Sequence, residues 1–314
     1  MSALLAVRDL YVHLPTPRGT VRAVDGLSFE VMPGETVAVV GESGCGKSTL
    51  GKAIVGLQPP TAGSIEIDGV DVSGFGRRDW RPMRNWAQTI FQDPYSSLNP
   101  RKTVGQILAE PLRVLGVPAA EQTQRLVELL ASVGLHRDAL GRYPHEFSGG
   151  QRQRIGIARA ICMNPKLIVC DEPVSALDVS VQSQIINLLV DLQQKHSLSY
   201  VFISHDLSVV QHIADRVAVM YLGKIVEFGH RKTLWAAPRH PYTRGLFDAA
   251  PDPDIDSPQR EQRTVLQGEI PSPFAVPSGC CFRTRCPMAT ERCAAETPPL
   301  RTVAEGVAVA CHFA

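Results

Sequence analysis

Nine consecutive residues, Gly41-Glu42-Ser43-Gly44-Cys45-Gly46-Lys47-Ser48-Thr49, have the types and spacing needed to hold a chain of phosphates. Glycines let backbone N–H groups close around an anion, and a helix starting just beyond adds the positive end of its dipole. Lys47 would reach the β- and γ-phosphates of a nucleoside triphosphate, and the Ser48 hydroxyl would hold Mg²⁺. The pattern has this meaning only between a strand and a helix. Residues 36–40 form an apolar run typical of a buried parallel strand, and residues 50–55 read as a helix start.

Two further stretches complement the loop. Asp171 and Glu172 follow the apolar run 167–170. An acid at the end of such a strand helps hold Mg²⁺ in phosphate-loop proteins, and a neighbouring carboxylate can polarise an attacking water. Taken alone, the pair also fits a helix N-terminal charge pair. The second stretch, Phe147-Ser148-Gly149-Gly150-Gln151, opens an arginine-containing helix predicted to run to Ala160. It offers another glycine-rich helix N-terminus with a hydroxyl, hence a second anion site. One short fold cannot easily place both sites on the same triphosphate, whereas two copies facing head to tail can.

With these residues together, the chain resembles an ATP-binding cassette of ABC transporters. The resemblance makes residues 41–49 the Walker A loop, 167–171 the Walker B strand with Asp171 on Mg²⁺, and Glu172 the catalytic base. Ser148, Gly149, Gly150 and Gln151 then belong to the signature motif that completes the partner's ATP site. Gln92 matches the Q-loop glutamine, which senses the γ-phosphate and Mg²⁺, and residues 175–178 match the D-loop. His205 matches the switch histidine. One position departs from the pattern: Leu14 stands where many cassettes stack an aromatic on adenine, and neither Tyr11 nor His13 nearby takes that role from sequence.

Residues 90–100 (IFQDPYSSLNP), 143–147 (YPHEF) and 240–244 (HPYTR) resemble the dipeptide and oligopeptide importer subfamily, in its F-type cassette. That likeness implies ATP-driven uptake of peptides. It also implies a second, D-type cassette, two membrane permeases and an extracytoplasmic peptide-binding protein as partners. Import of another small solute such as nickel is an alternative, as is a soluble cassette ATPase of translation or DNA repair. An iron–sulfur redox protein with a regulatory nucleotide site is a more distant one.

Bulk properties set the outer bounds. At 314 residues the chain can bury one large core plus a smaller appendix, and 44% hydrophobic with 20% charged residues is ordinary for a globular protein. A net charge of +1 argues against a nucleic-acid binder built on a broad basic face. The one basic cluster, Arg77, Arg78, Arg81 and Arg84, also holds Trp80 and Asp79 and reads as a solvated helix face. No apolar run approaches the ~20 residues that span a bilayer, and the N-terminus lacks a signal-peptide pattern. These features and the resemblance together place the protein at the cytoplasmic face of the cell membrane, bound peripherally.

The elements that must position these residues follow from periodicity. Residues 4–12 and 21–31 predict an antiparallel layer turning near Gly19, and residues 64–69 and 86–91 predict two more strands. Helical periodicity over 104–115 and 121–133 marks an inserted helical subdomain at about 93–160. Strands at 167–171, 200–204 and 216–221 alternate with a helix over 179–196, as in a mainly parallel sheet covered on both faces. The predicted fold class is therefore α/β, a phosphate-loop cassette occupying residues 1–250. A proline-rich linker at 251–278 and a cysteine-rich module at 279–314 complete the expected order.

That last segment holds five of the eight cysteines. Cys280, Cys286, Cys293 and Cys311 are spaced C-x5-C-x6-C-x17-C, with Cys281 as an extra neighbour. Zinc ribbons show tight C-x2-C pairs, and none is present. Four thiolates from a loop can instead hold an iron–sulfur cluster, and the segment resembles the tail of peptide-importer cassettes that carry [4Fe–4S]. Zinc binding and no metal at all are the alternatives.

Overall fold

The computed structural model describes residues 2–76, 78–249 and 268–314; Arg77 and most of the predicted linker lie outside them. The strands are β1 (Leu5–Thr16), β2 (Gly19–Val31), β3 (Thr36–Val40), β4 (Ala62–Ile67), β5 (Val70–Asp71), β6 (Ala87–Ile90), β7 (Leu167–Asp171), β8 (Ser199–Ile203), β9 (Arg216–Tyr221), β10 (Lys224–His230), β11 (Arg301–Ala304) and β12 (Val307–Val309). The helices are α1 (Lys47–Ile54), α2 (Trp80–Met83), α3 (Pro94–Ser97), α4 (Val104–Val114), α5 (Ala119–Ser132), α6 (Gly149–Ile161), α7 (Val179–His196), α8 (Leu207–Ile213), α9 (Arg231–Ala236), α10 (Pro241–Asp248) and α11 (Glu291–Ala295). None is long and apolar enough to cross a membrane, among the described residues.

Two sheets organise the chain. The larger runs β11-β12-β10-β9-β3-β8-β7-β6, with β9, β3, β8, β7 and β6 parallel. Its central strands are apolar end to end and almost wholly buried, the pattern a parallel sheet covered on both faces requires. Period-two alternation sorts their side chains. Val37, Val39, Val169, Val201 and Ile203 face the smaller sheet and α1. Ala38, Ile168, Cys170, Tyr200 and Phe202 face the helices of the 94–161 insert and α7. The smaller sheet, β2-β1-β4-β5, is antiparallel and half-exposed; in β4, Ile65 and Ile67 are buried while Glu66 between them is not. The result is a mainly parallel sheet flanked by an antiparallel layer on one side and helices on the other, the α/β arrangement of mixed sheets and helices.

Several boundaries differ from the sequence expectation. The β1–β2 turn falls at residues 17–18, with Gly19 already in β2. β10 has no counterpart in the periodicity reading. It folds back on β9 through Leu222 and Gly223, both at positive φ (43° and 82°), the twist of a tight two-residue hairpin. Leucine is an unusual residue at such a position, so the usual Asn-Gly or Asp-Gly signal is missing. The cysteine-rich segment also does more than append itself: β12 pairs with β10 and extends the main sheet.

Candidate functional site

The 41–49 loop leaves β3 and enters α1 under tight backbone constraint. Gly41 and Gly46 have φ of 151° and 108°, and a Cβ would sit 2.1 Å from the Met220 carbonyl oxygen at the first and 1.8 Å from that of Ala23 at the second. Only glycine fits either position. The α1 N-terminus carries no side-chain cap. Lys47, 5% exposed, folds its ammonium back inside the arch and donates to the carbonyls of Gly41 at 2.8 Å and Glu42 at 3.0 Å. Cys45 lies beside it, its thiol pushed up by burial.

Around this loop the sheet gathers residues from distant stretches. Ser48 Oγ donates to Asp171 Oδ1 at 2.8 Å, joining α1 to the end of β7. Burial holds the Asp171 carboxyl above the usual carboxylate range, opposed by that hydrogen bond. Glu172 follows at φ 47°, a left-handed conformation that costs a non-glycine residue on the order of 1 kcal/mol. Its N–H donates to Ile203 at 3.0 Å, which turns the chain off the sheet. Glu172 Oε2 accepts from Gln92 Nε2 at 2.9 Å and lies 3.2 Å from His205 Nδ1. Gln92 comes from the segment after β6 and His205 from the one after β8, so parallel strand ends converge on one carboxylate. Water activation needs such a group.

The 148–151 turn is built differently. Ser148 Oγ accepts from Gln151 N at 3.3 Å while the Gln151 side chain accepts from Ser148 N at 3.0 Å, a reciprocal cap on α6. Gly149 and Gly150 pack closely against Leu177 and Val181. Among the described residues, no hydrogen bond or ion pair joins this turn to the 41–49 loop.

Leu14 pairs across from Val21 and packs at the margin of the core. Tyr11 meets His13 edge to face, and His13 Nε2 sits 3.0 Å from Asp25 Oδ1, a carboxylate that Lys224 also approaches at 3.0 Å. Sequence reasoning missed two residues on the loop, Tyr242 and Arg285. Glu42 N donates to Tyr242 Oη at 2.9 Å, and Arg285 grips the Glu42 carboxylate at 2.6 and 3.0 Å. Tyr242 lies in the 240–244 stretch, but nothing local ties either residue to the loop, because each reaches it from across the fold.

Among the described residues, no group of three or more His, Cys, Asp or Glu is placed to hold a metal ion, and the cluster expected on Cys280, Cys286, Cys293 and Cys311 gains no support from the fold. The four lie within electrostatic reach, each neighbouring thiol adding to the burial that raises Cys280. Cys280 N donates to the Cys293 carbonyl at 2.7 Å. Cys281 is buried against β9, with its thiol pushed up to about 12 by burial, as befits an inert packing residue.

A phosphate loop between β3 and α1, an acidic end to β7 and an antiparallel layer beside the parallel sheet define an ATPase of the cassette type. Comparison with known proteins narrows the class. Residues 24–175 match the ABC transporter family and residues 226–293 the C-terminal region of oligopeptide/dipeptide transporters. The probable peptide ABC transporter ATP-binding protein y4tS of Sinorhizobium fredii is 53% identical, over 99% of this chain and 90% of that protein. The oligopeptide transport ATP-binding protein AppF of Bacillus subtilis is 49% identical, over 99% and 97%. Among solved structures, cbiO1 of Clostridium perfringens, part of the transporter complex cbiONQ, superposes with a TM-score of 0.67 at 29% identity, over 75% of this chain and 92% of that one. The cassette MJ0796, solved as a dimer bound to ADP and Pi, gives 0.66 at 26%, over 72% and 98%. The chain belongs to the ABC transporter ATP-binding proteins, in their oligopeptide/dipeptide branch.

Proposed function

We infer that this chain is the ATP-hydrolysing subunit of a peptide ABC importer. The observation that carries the hydrolytic part is the meeting of Gln92, Glu172 and His205 beside a loop whose Ser48 is bonded to Asp171. In this reading residues 41–49 hold the phosphates, with Lys47 at the β/γ end. Ser48, Asp171 and Gln92 offer the oxygen donors that Mg²⁺ prefers, and the ion neutralises phosphate charge when bound. Glu172 orients and deprotonates the attacking water, while His205 and Gln92 hold the Glu172 carboxylate and report on the γ-phosphate. The peptide assignment rests on the match over 226–293 and the names of the relatives.

Ser148, Gly149, Gly150 and Gln151 complete the site of a second, D-type cassette, whose own turn completes this one. ATP held between the two favours the closed pair, and hydrolysis with product release favours the open one. The machine further comprises two permeases and an extracytoplasmic peptide-binding protein, with this subunit on the cytoplasmic face of the membrane. An open groove of about 600 Å³ beside Gln92, lined by exposed Leu57 and Phe91 with Trp80, Arg84 and Arg159, suits an apolar helix end from a permease. Domain limits of 1–250, 251–278 and 279–314, with a helical subdomain near 93–160, complete the proposal. A [4Fe–4S] cluster on Cys280, Cys286, Cys293 and Cys311 is part of the proposal through the tail's resemblance to cluster-carrying importer cassettes and the closeness of those thiols, and no step above depends on it.

Affinity purification of the tagged chain tests the assignment. Co-purifying permeases, with hydrolysis stimulated by peptide-loaded binding protein, are the expected result; ribosomes or DNA instead would transfer the chain to a soluble cassette function. An anaerobic preparation with neither absorbance near 400 nm nor stoichiometric iron would remove the cluster alone.

A further inference from the structure

Residue 42 is held on three sides. Its carbonyl accepts from Lys47 Nζ at 3.0 Å, its N–H donates to Tyr242 Oη at 2.9 Å, and its carboxylate receives both arms of Arg285 at 2.6 and 3.0 Å. Arg285 stands 243 residues away in sequence, and its side chain is 4% exposed. An aromatic wall sets the guanidinium: its centre lies 5.9 Å from the Tyr221 ring and 6.0 Å from that of Phe282. Tyr242 closes the wall, 4.7 Å from Tyr221 and 5.5 Å from Phe282.

We propose that Arg285 is a positioning residue of the nucleotide site, holding the phosphate loop in its binding shape through Glu42. The inference rests on reading residues 41–49 as the phosphate loop. A bidentate arginine–carboxylate pair fixes angle as well as distance, which a lysine point charge does not. Because Lys47 is tied to the carbonyls of Gly41 and Glu42, a shift at residue 42 moves the ammonium that meets the phosphates. Arg285 acts by geometry, since Glu42 already neutralises its charge. A buried ion pair is a weak source of stability, as apolar replacements often serve as well. Its place on the loop itself, and not on the sheet beneath, has a purpose in orientation. The C-terminal segment is thereby a working part of the ATP site.

Titration of the full-length chain with ATP and Mg²⁺, alongside thermal melting without nucleotide, tests this on R285Q, R285K, E42Q/R285Q and K47A. R285Q should raise the Kd for ATP roughly tenfold, and R285K should recover only part, having the charge without the fork. E42Q/R285Q removes both charges, so it should melt near wild type yet keep the weakened affinity; it also decides the matter should R285Q fail to fold. Wild-type affinity in R285Q, or recovery of melting and affinity together in the double variant, overturns the proposal. K47A separates the two levels. If K47A binds ATP normally, the phosphate-loop reading itself fails; if K47A loses binding while R285Q keeps it, only the role of Arg285 does.

Discussion

The chain opens two helices with glycine-rich turns, at α1 and α6, and the two are furnished in opposite ways. The α1 start has no side-chain cap and gathers its own Lys47, Asp171 and Glu172 from the end of β7, and Gln92 from the segment after β6. The α6 start caps itself through Ser148 and Gln151 and leans on α7. A helix N-terminus is a generic anion site. What distinguishes chemistry from mere binding is which carboxylates and cations the sheet brings to it. By that measure residues 41–49 carry the furnishings of a catalytic site within this chain, whereas residues 148–151 carry none, and in the proposed reading they act on a partner cassette.

The largest expected effect tests the furnished side. Glu172→Gln in the assembled complex should leave ATP binding intact and lower turnover on the order of 10³-fold, as measured by phosphate release. Normal hydrolysis, with no other active site in the complex, would remove Glu172 from its role. Next comes the unfurnished side. Ser148→Arg should cut turnover of the complex roughly 10²-fold while leaving ATP affinity of the isolated chain unchanged; a fall in that affinity would erase the distinction between the two turns.

Acid should also act on the furnished side first. His240 is buried and its imidazole is pushed down to about 3 by desolvation, and its Nδ1 accepts from Tyr242 N at 3.1 Å, the first turn of the helix that supports Glu42. Below pH 6.5 the unfolded chain binds a proton that the folded chain refuses until about pH 3. Stability therefore falls as pH drops through that window, by about 2 kcal/mol at pH 5 from this group alone. Thermal melting from pH 8 to pH 5 should show the loss, and His240→Asn should flatten it. The smallest effect is expected for Tyr242→Phe, which deletes one acceptor from the Glu42 amide. It should cost about 1 kcal/mol, read as a small rise in the ATP Kd.

Much of this was legible from local pattern. The bounds of β7, α7 and β9 coincide with the apolar runs that announced them, because strands buried on both faces and a long amphipathic helix leave unambiguous periods. The hairpin from β9 to β10 was not, since Leu222 adopts a conformation its side chain disfavours and the packing of β10 on β9 and β12 overrides that preference. The cysteine spacing drew attention to a metal, but spacing alone does not say whether four thiols meet in the geometry a metal needs, which depends on how the backbone between them turns.

Sequence alone determined the chemistry available: glycines where a Cβ would strike backbone, a lysine and a serine at the head of a helix, paired acids closing a strand. Those are consequences of residue type and short spacing, which local sterics dictate. Only the tertiary structure decided which side chains share the site. Gln92 and His205 meet Glu172 because parallel strands end at one edge, and Arg285 reaches Glu42 because the tail, through β12, is built onto the sheet beside β10. Contacts across such distances depend on the path of the whole chain, and no short stretch of it encodes them.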